Sequence, residues 1–190
     1  ASHRRAMILE VMGRDAGHIA LNAGIAGGAD IILIPEIPYS IKSIAKHIEK
    51  LRSRGRNHAL IVVAEAVKKE NGKKATVKYV DGEVRLGGIG NYLGDEIYKI
   101  TNAETRVTVL GHVQRGAQPT HRDRLIASAF GVYATDLIAK KKFNRVVVWK
   151  DRGVQDLPLN QIAGYSKTIQ KNDPLIKVAK GLGIYIGEFV

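Results

Sequence analysis

Cysteine is absent from this 190-residue chain, which excludes disulfides, zinc–cysteine sites and a thiol nucleophile in one step. Aromatic residues are scarce: one Trp and three Phe leave little of the stacking surface that single-strand binders use. No apolar run approaches the length of a membrane span, and the opening Ala-Ser-His-Arg-Arg has nothing like the apolar region of a signal peptide. The expectation is a cytoplasmic protein with no membrane partner. Neither G-x-G-x-x-G nor G-x-x-x-x-G-K-[ST] occurs, so the two familiar glycine-rich phosphate loops are excluded. Zinc-finger and RRM signatures are missing as well.

The hydrophobic content of 45%, with 20 Gly and 5 Pro, is ordinary for a globular domain with a core of its own. The formal net charge of +12 raises nucleic acid as a partner, because Lys and Arg neutralise phosphates. The lysines are nevertheless spread along the chain. Solvated basic faces and a few arginines for a small phosphorylated ligand account for the charge, and the expectation is no nucleic acid.

Periodicity lays out the elements. Positions 6–12 form a short apolar run suited to a buried strand, broken by Gly13-Arg14-Asp15, and small residues over 16–26 favour a helix. Met12, Gly13 and Arg14 therefore sit in a strand-to-helix turn, where ligands collect in open α/β sheets. Gly13 permits close backbone approach. Arg14 supplies a charge for a phosphoryl group, or else pairs with Asp15 or Asp30. Positions 30–35 read as a second strand. Ile41, Ile44, Ile48 and Leu51 mark the apolar stripe of a helix that closes before Gly55. A third strand spans 58–64 and ends at Glu65, a carboxylate that either accepts hydrogen bonds from sugar hydroxyls or pairs with a lysine.

Residues 73–86 alternate around the turn signal Asp81-Gly82. Gly87-Gly88-Ile89-Gly90 reads as a turn into a helix over 91–100. The β-branched run Val107-Thr108-Val109-Leu110 breaks at Gly111 and presents His112, Gln114, Arg115 and Gly116. Thr120 and Asp123 then make a capping-box pattern, and Ile126, Phe130, Tyr133 and Leu137 hold one face of the helix that follows. Basic side chains beside a strand end and a helix N-terminus suit an anion. A further strand over 145–149 and a helix around 174–180 complete the pattern. Strands alternating with helices predict an α/β fold, three-layered with a largely parallel sheet.

Two strings carry a resemblance. VLGHVQRGAQPTHRDRLIAS and, about a hundred residues earlier, EVMGRDAGHIALNAGIAGGAD closely resemble hallmark segments of the 6-phosphofructokinases. The likeness runs from about Ser2 to Gly153. The T-I-D-N-D motif, whose aspartate is the family's catalytic base, and the glycine-rich donor site are absent. The chain thus resembles the carboxyl-terminal half. That implies a phosphofructokinase-like fold with an acceptor portion over 1–115, a segment returning to the donor domain over 116–165, and a tail over 166–190.

The resemblance implies roles residue by residue. Met12 and Gly13 touch fructose 6-phosphate, Arg14 stabilises the transferring phosphoryl group, and Glu65 holds sugar hydroxyls. His112 and Arg115 bind the 6-phosphate from one subunit, while Arg5 and Arg106 reach it from a neighbour. The site is then shared within a homo-oligomer. Glu36, Arg54 and Arg56 correspond to an effector site of allosteric bacterial enzymes. Magnesium and the donor, ATP or pyrophosphate, belong mainly to the N-terminal half, with no metal ligands in this chain. Ala117-Gln118 stands where the family commonly has Gly-Ser or Gly-Thr. The segment with RLGGIGNYLGDEI resembles the group whose members use either donor. The implied reaction is phosphoryl transfer to the sugar 1-hydroxyl in glycolysis, the isolated chain being inactive. A non-catalytic sugar-phosphate sensor and a basic nucleic-acid binder are the competing readings.

Overall fold

The computed structural model describes residues 5–78, 80 and 82–188. They fall into two compact units, one of residues 1–114 and 167–190, the other of 115–166.

The first unit is built on four parallel strands: β1 (Arg5–Val11), β2 (Ile31–Leu33), β3 (His58–Ala64) and β6 (Glu104–Val109), in the order β2-β3-β1-β6. Their helices are α1 (His18–Ala26), α2 (Ile41–Ser53), α3 (Ile89–Thr101) and α5 (Pro174–Gly181). From β1 the chain steps two places to β2 through α1, then back toward β3 and β6 through α2 and α3. Right-handed crossovers in opposite directions put α1 on one face and α2 and α3 on the other. α1 packs with α5, and α2 with α3. Three layers result.

The apolar runs read from the sequence are the core. Ile31, Ile32, Ile61 and Val63 are fully buried, as are Ile44 of α2 and Ile89, Leu93 and Ile97 of α3. Each such side chain contributes about 1.5–3 kcal/mol by leaving water. Both faces of β2 and β3 are covered, so these strands are apolar throughout rather than alternating. Close approach matters at Gly24, where a Cβ would stand 2.5 Å from Ile32 Cγ1, against the buried strand β2.

β4 (Thr76–Lys78) and β5 (Val84–Leu86) pair antiparallel, as the alternation predicts. Asp81 of the turn signal lies outside the described residues. α1 begins two residues later than the composition suggested, because positions 13–16 form a turn closed by Ala16 N–H on the Gly13 carbonyl (3.1 Å).

The second unit holds α4 (His121–Ala139), β7 (Arg145–Lys150) and β8 (Gly153–Pro158). α4 starts as predicted: the Thr120 side chain accepts from Asp123 N–H, and Asp123 Oδ2 accepts from Thr120 N–H at 2.8 Å. The Asp123 carboxyl is accordingly held below its usual pKa by the Thr120 hydroxyl and backbone. β8 was not foreseen. It pairs antiparallel with β7 across Asp151 and Arg152, both left-handed at φ 52° and 62°. A two-residue hairpin wants that conformation, but Arg is a poor composition signal for it. Tyr133 Oη donates to Asp156 Oδ1 (2.7 Å), and Arg145 Nε donates to Asp156 Oδ2.

Among the described hydrophobic residues of this unit only Leu137 is buried, whereas Leu125, Val132, Ile138, Phe143 and Tyr165 are 64–73% exposed. One helix and one hairpin with so small a core cannot offset their chain entropy. Residues 115–166 expressed alone are expected to show no cooperative thermal transition by circular dichroism. A sharp two-state melt of that piece would contradict this account.

Candidate functional site

β1 lies between β3 and β6, and all three run the same way. Val11 pairs with Ala64, and Glu10 with Val109. Whatever follows these strands is therefore delivered to one edge of the sheet: Met12, Gly13 and Arg14 after β1, Glu65 after β3, and His112 after β6. This is the crevice at strand C-termini where open α/β sheets bind ligands.

Glu65 ties two of these segments together. Its Oε1 accepts from Gly13 N–H (3.2 Å) and Arg14 N–H (3.0 Å), while its own N–H donates to the Val11 carbonyl (2.9 Å). One carboxylate oxygen thus fixes the turn and the other faces no protein donor among the described residues. Arg14 sits at φ 49°, a conformation a non-glycine residue adopts at a cost of about 1 kcal/mol. The Glu65 bond to its N–H offsets part of that strain. Gly13 is required for a different reason from the one its sequence suggested: a Cβ would fall 2.4 Å from the Ala16 carbonyl oxygen of its own turn.

Arg14 is exposed and makes no ion pair among the described residues. The carboxylates considered as its partners are engaged elsewhere. Asp15 pairs with Lys74 (2.9 Å), which also lowers its pKa. Asp30, 5% exposed, takes Arg56 Nη1 at 2.5 Å and Leu60 N–H at 2.8 Å. The guanidinium of Arg14 has no carboxylate partner among the described residues.

After β6, Leu110 N–H donates to the Glu10 carbonyl (3.1 Å), and Gly111 turns at φ 52° into one turn of 3₁₀ helix, Gly111–Arg115. His112 and Arg115 lie on it, both exposed. Arg115 is the last residue of that turn and the first of the second unit.

Arg5 and Arg106 are not brought to this edge. Arg5 opens β1, and Arg106 pairs with Met7. At about 3.3 Å per residue they stand roughly 20 Å and 13 Å back from Val11. Both grip Glu104: Arg5 Nε donates to Oε2 (3.0 Å) and Arg106 Nη2 to Oε1.

The trio Glu36, Arg54 and Arg56 is not joined by any hydrogen bond or ion pair among the described residues. Glu36 accepts from Gly17 N–H through both oxygens (3.0 and 3.1 Å) and from Ile169 N–H (2.9 Å). It caps α1, whose own N-cap is a side-chain-less glycine. Arg56 is committed to Asp30, and Arg54 is the exposed C-cap of α2.

Glu10 was missed by the sequence reading. It is 2% exposed within β1 and accepts from Gly88 N–H (3.0 Å) and Gly90 N–H (2.8 Å) at the start of α3. A carboxylate inside an apolar strand, with a Gly-Gly-Ile-Gly turn elsewhere offering orphan N–H groups, was the available clue. No group of three or more His, Cys, Asp or Glu is placed to hold a metal among the described residues.

The family model described as Phosphofructokinase matches residues 1–138. "ATP-dependent 6-phosphofructokinase 1" of Nostoc sp. is 54% identical over 99% of this chain and 52% of its own length. The Synechocystis sp. protein of the same name is 52% identical over 98% of this chain and 52% of its own length. This chain therefore spans about half the length of the curated relatives it matches. Phosphofructokinase from Pichia pastoris in the T-state superposes with a TM-score of 0.67 at 30% identity, covering 96% of this chain and 19% of that one. The pyrophosphate-dependent phosphofructokinase of Nitrosospira multiformis gives 0.74 at 19% identity over the whole chain and 50% of its own, a likeness of fold alone.

Removing the Glu65 carboxylate leaves two N–H groups without an acceptor. Glu65→Ala is expected to destabilise the protein by about 1–3 kcal/mol in urea denaturation. Glu65→Gln, which keeps a carbonyl acceptor, is expected to lose less than half as much.

Proposed function

This chain belongs to the phosphofructokinase family, and from that premise we propose that it is the acceptor-substrate half of a 6-phosphofructokinase, transferring a phosphoryl group from ATP or pyrophosphate to the 1-hydroxyl of fructose 6-phosphate. The observation that carries the reading is the convergence of Met12–Arg14, Glu65 and His112 at one edge of a parallel sheet, with no partner for the Arg14 guanidinium or the second Glu65 oxygen among the described residues. The names of the cyanobacterial relatives favour ATP as donor.

In this mechanism the sugar is oriented by the Met12-Gly13 backbone and by the free Glu65 oxygen, which accepts from sugar hydroxyls. His112 and Arg115 meet the 6-phosphate. A dianion takes several charge-assisted hydrogen bonds, each worth about 1.5–3 kcal/mol. The 1-hydroxyl oxygen attacks the terminal phosphorus in line. A bond forms from that oxygen to phosphorus, the bond to the donor's leaving oxygen breaks, and Arg14 stabilises charge on the transferring group. The hydroxyl proton passes to a base outside this chain. On this reading magnesium and the donor would be held mainly by the half that this chain lacks. The described residues of this chain gather no donor set for the metal.

Arg5 and Arg106 lie too far along their strands to serve the phosphate at His112 of their own chain. They fit the 6-phosphate of a neighbouring copy, which makes a homo-oligomer part of the active site. Residues 1–115 then form the acceptor portion, and 116–165 pack with the donor half. The trio Glu36, Arg54 and Arg56 remains an effector-site proposal, with Glu36 and Arg56 needing release from their present partners.

Fructose 1,6-bisphosphate formation should require co-assembly of this chain with the N-terminal half of the enzyme. Folded, associated halves that give no product would count against catalysis and leave a sugar-phosphate sensor, whose binding Arg115→Ala abolishes. In the complete enzyme, His112→Ala is expected to raise the fructose 6-phosphate KM about tenfold or more with a smaller change in kcat. Arg14→Ala should lower kcat by about a hundredfold or more. The reverse pattern would mean that the two roles are exchanged.

A further inference from the structure

Arg5 and Arg106 carry like charges on neighbouring strands, and like charges at hydrogen-bonding range repel unless something holds them. Glu104 does so. It is the ladder partner of Arg5 across the β1–β6 pairing and stands two residues before Arg106, on the same face of β6. Its two oxygens are divided between them: Oε2 takes Arg5 Nε and Oε1 takes Arg106 Nη2. The carboxyl is held below its usual pKa by these two guanidinium groups, Arg5 foremost. Neither arginine has another ion-pair partner among the described residues. All three side chains are 39–62% exposed, so the cluster faces outward and is not part of the core.

The donor arithmetic is telling. A guanidinium carries more N–H groups than one carboxylate oxygen can use. Glu104 engages one on each arginine, leaving the rest of both forks without a partner among the described residues and tethered to one carboxylate. The cluster keeps a net charge of +1, and its remaining donors are directed by a fixed acceptor behind them. We propose that Glu104 is a positioning residue that presents Arg5 and Arg106 together as a single clamp for a phosphate dianion. The inference rests on the reading above, that these arginines reach the sugar phosphate of a neighbouring subunit.

Charge and position predict opposite signs, which makes the idea decidable. Glu104→Gln removes the negative charge and keeps the shape. If Glu104 merely dilutes the positive field, its loss leaves two bare guanidiniums and tightens phosphate binding. If it positions them, its loss lets them part and weakens binding. The experiment is steady-state kinetics of the full-length enzyme with fructose 6-phosphate, comparing Glu104→Gln, Glu104→Asp, Arg5→Ala, Arg106→Ala and the Glu104→Gln/Arg106→Ala double variant.

The expected result is a rise of about fivefold in the fructose 6-phosphate KM for Glu104→Gln, with kcat falling less than twofold. Glu104→Asp should restore part of the loss. The double variant should rise by less than the product of the single effects, since both act through one clamp. A KM that falls or stays unchanged for Glu104→Gln, while Arg5→Ala and Arg106→Ala raise it, overturns the positioning role and spares the shared site. If Arg5→Ala and Arg106→Ala also leave KM unchanged, the shared-site reading itself is wrong.

Discussion

The parallel pairing of β1 on both sides organises everything else in the first unit. Because β3 and β6 flank it in the same direction, residues one to three positions past the strand ends come to one edge of the sheet from three distant stretches of chain. The same constraint separates the arginines into two groups. Arg14 follows a strand and Arg5 begins the same strand, so no side-chain rearrangement can bring both to one ligand within one chain. Strand direction thus separates the two arginines before any side chain is considered.

Carboxylates do the joining. Glu65 fixes the Gly13-Arg14 turn, Glu10 fixes the start of α3, Glu36 fixes the start of α1 and the returning C-terminal segment, and Glu104 gathers two arginines. In each of the first three a side-chain oxygen accepts backbone N–H groups that a helix start or tight turn leaves unpaired. These four stand at joints, whereas others among the 18 acidic residues, such as Glu49, Asp95 and Asp136, are exposed on the surface.

Strands, helices and the α4 capping box were legible in the sequence because each rests on local periodicity or local side-chain chemistry. The apolar run at 58–64 becomes β3, the run read at 30–35 becomes the shorter β2, and Thr120 and Asp123 act as their spacing requires. Less was legible where partners are far apart. Glu10 and Gly90 are 80 residues distant in sequence, and Glu36 and Ile169 are 133; no periodicity connects them. β8 escaped because its turn uses Asp151 and Arg152 in a left-handed conformation that their types do not announce. The roles expected of the candidate residues came through family resemblance, and what the structure adds is placement: Arg14 without an ion pair among the described residues, Glu65 engaged by one oxygen, Glu36 and Arg56 occupied elsewhere.

β6 is the outer strand of the four-stranded sheet. An outer strand offers unpaired backbone groups to any passing strand, and a flat apolar edge invites aggregation. Here that edge bears Glu104 and Arg106, bonded to each other and to Arg5. Another strand adding in register would have to desolvate this ionic cluster as well as align with it. These charges therefore protect the border of the sheet, so that neutralising them endangers solubility.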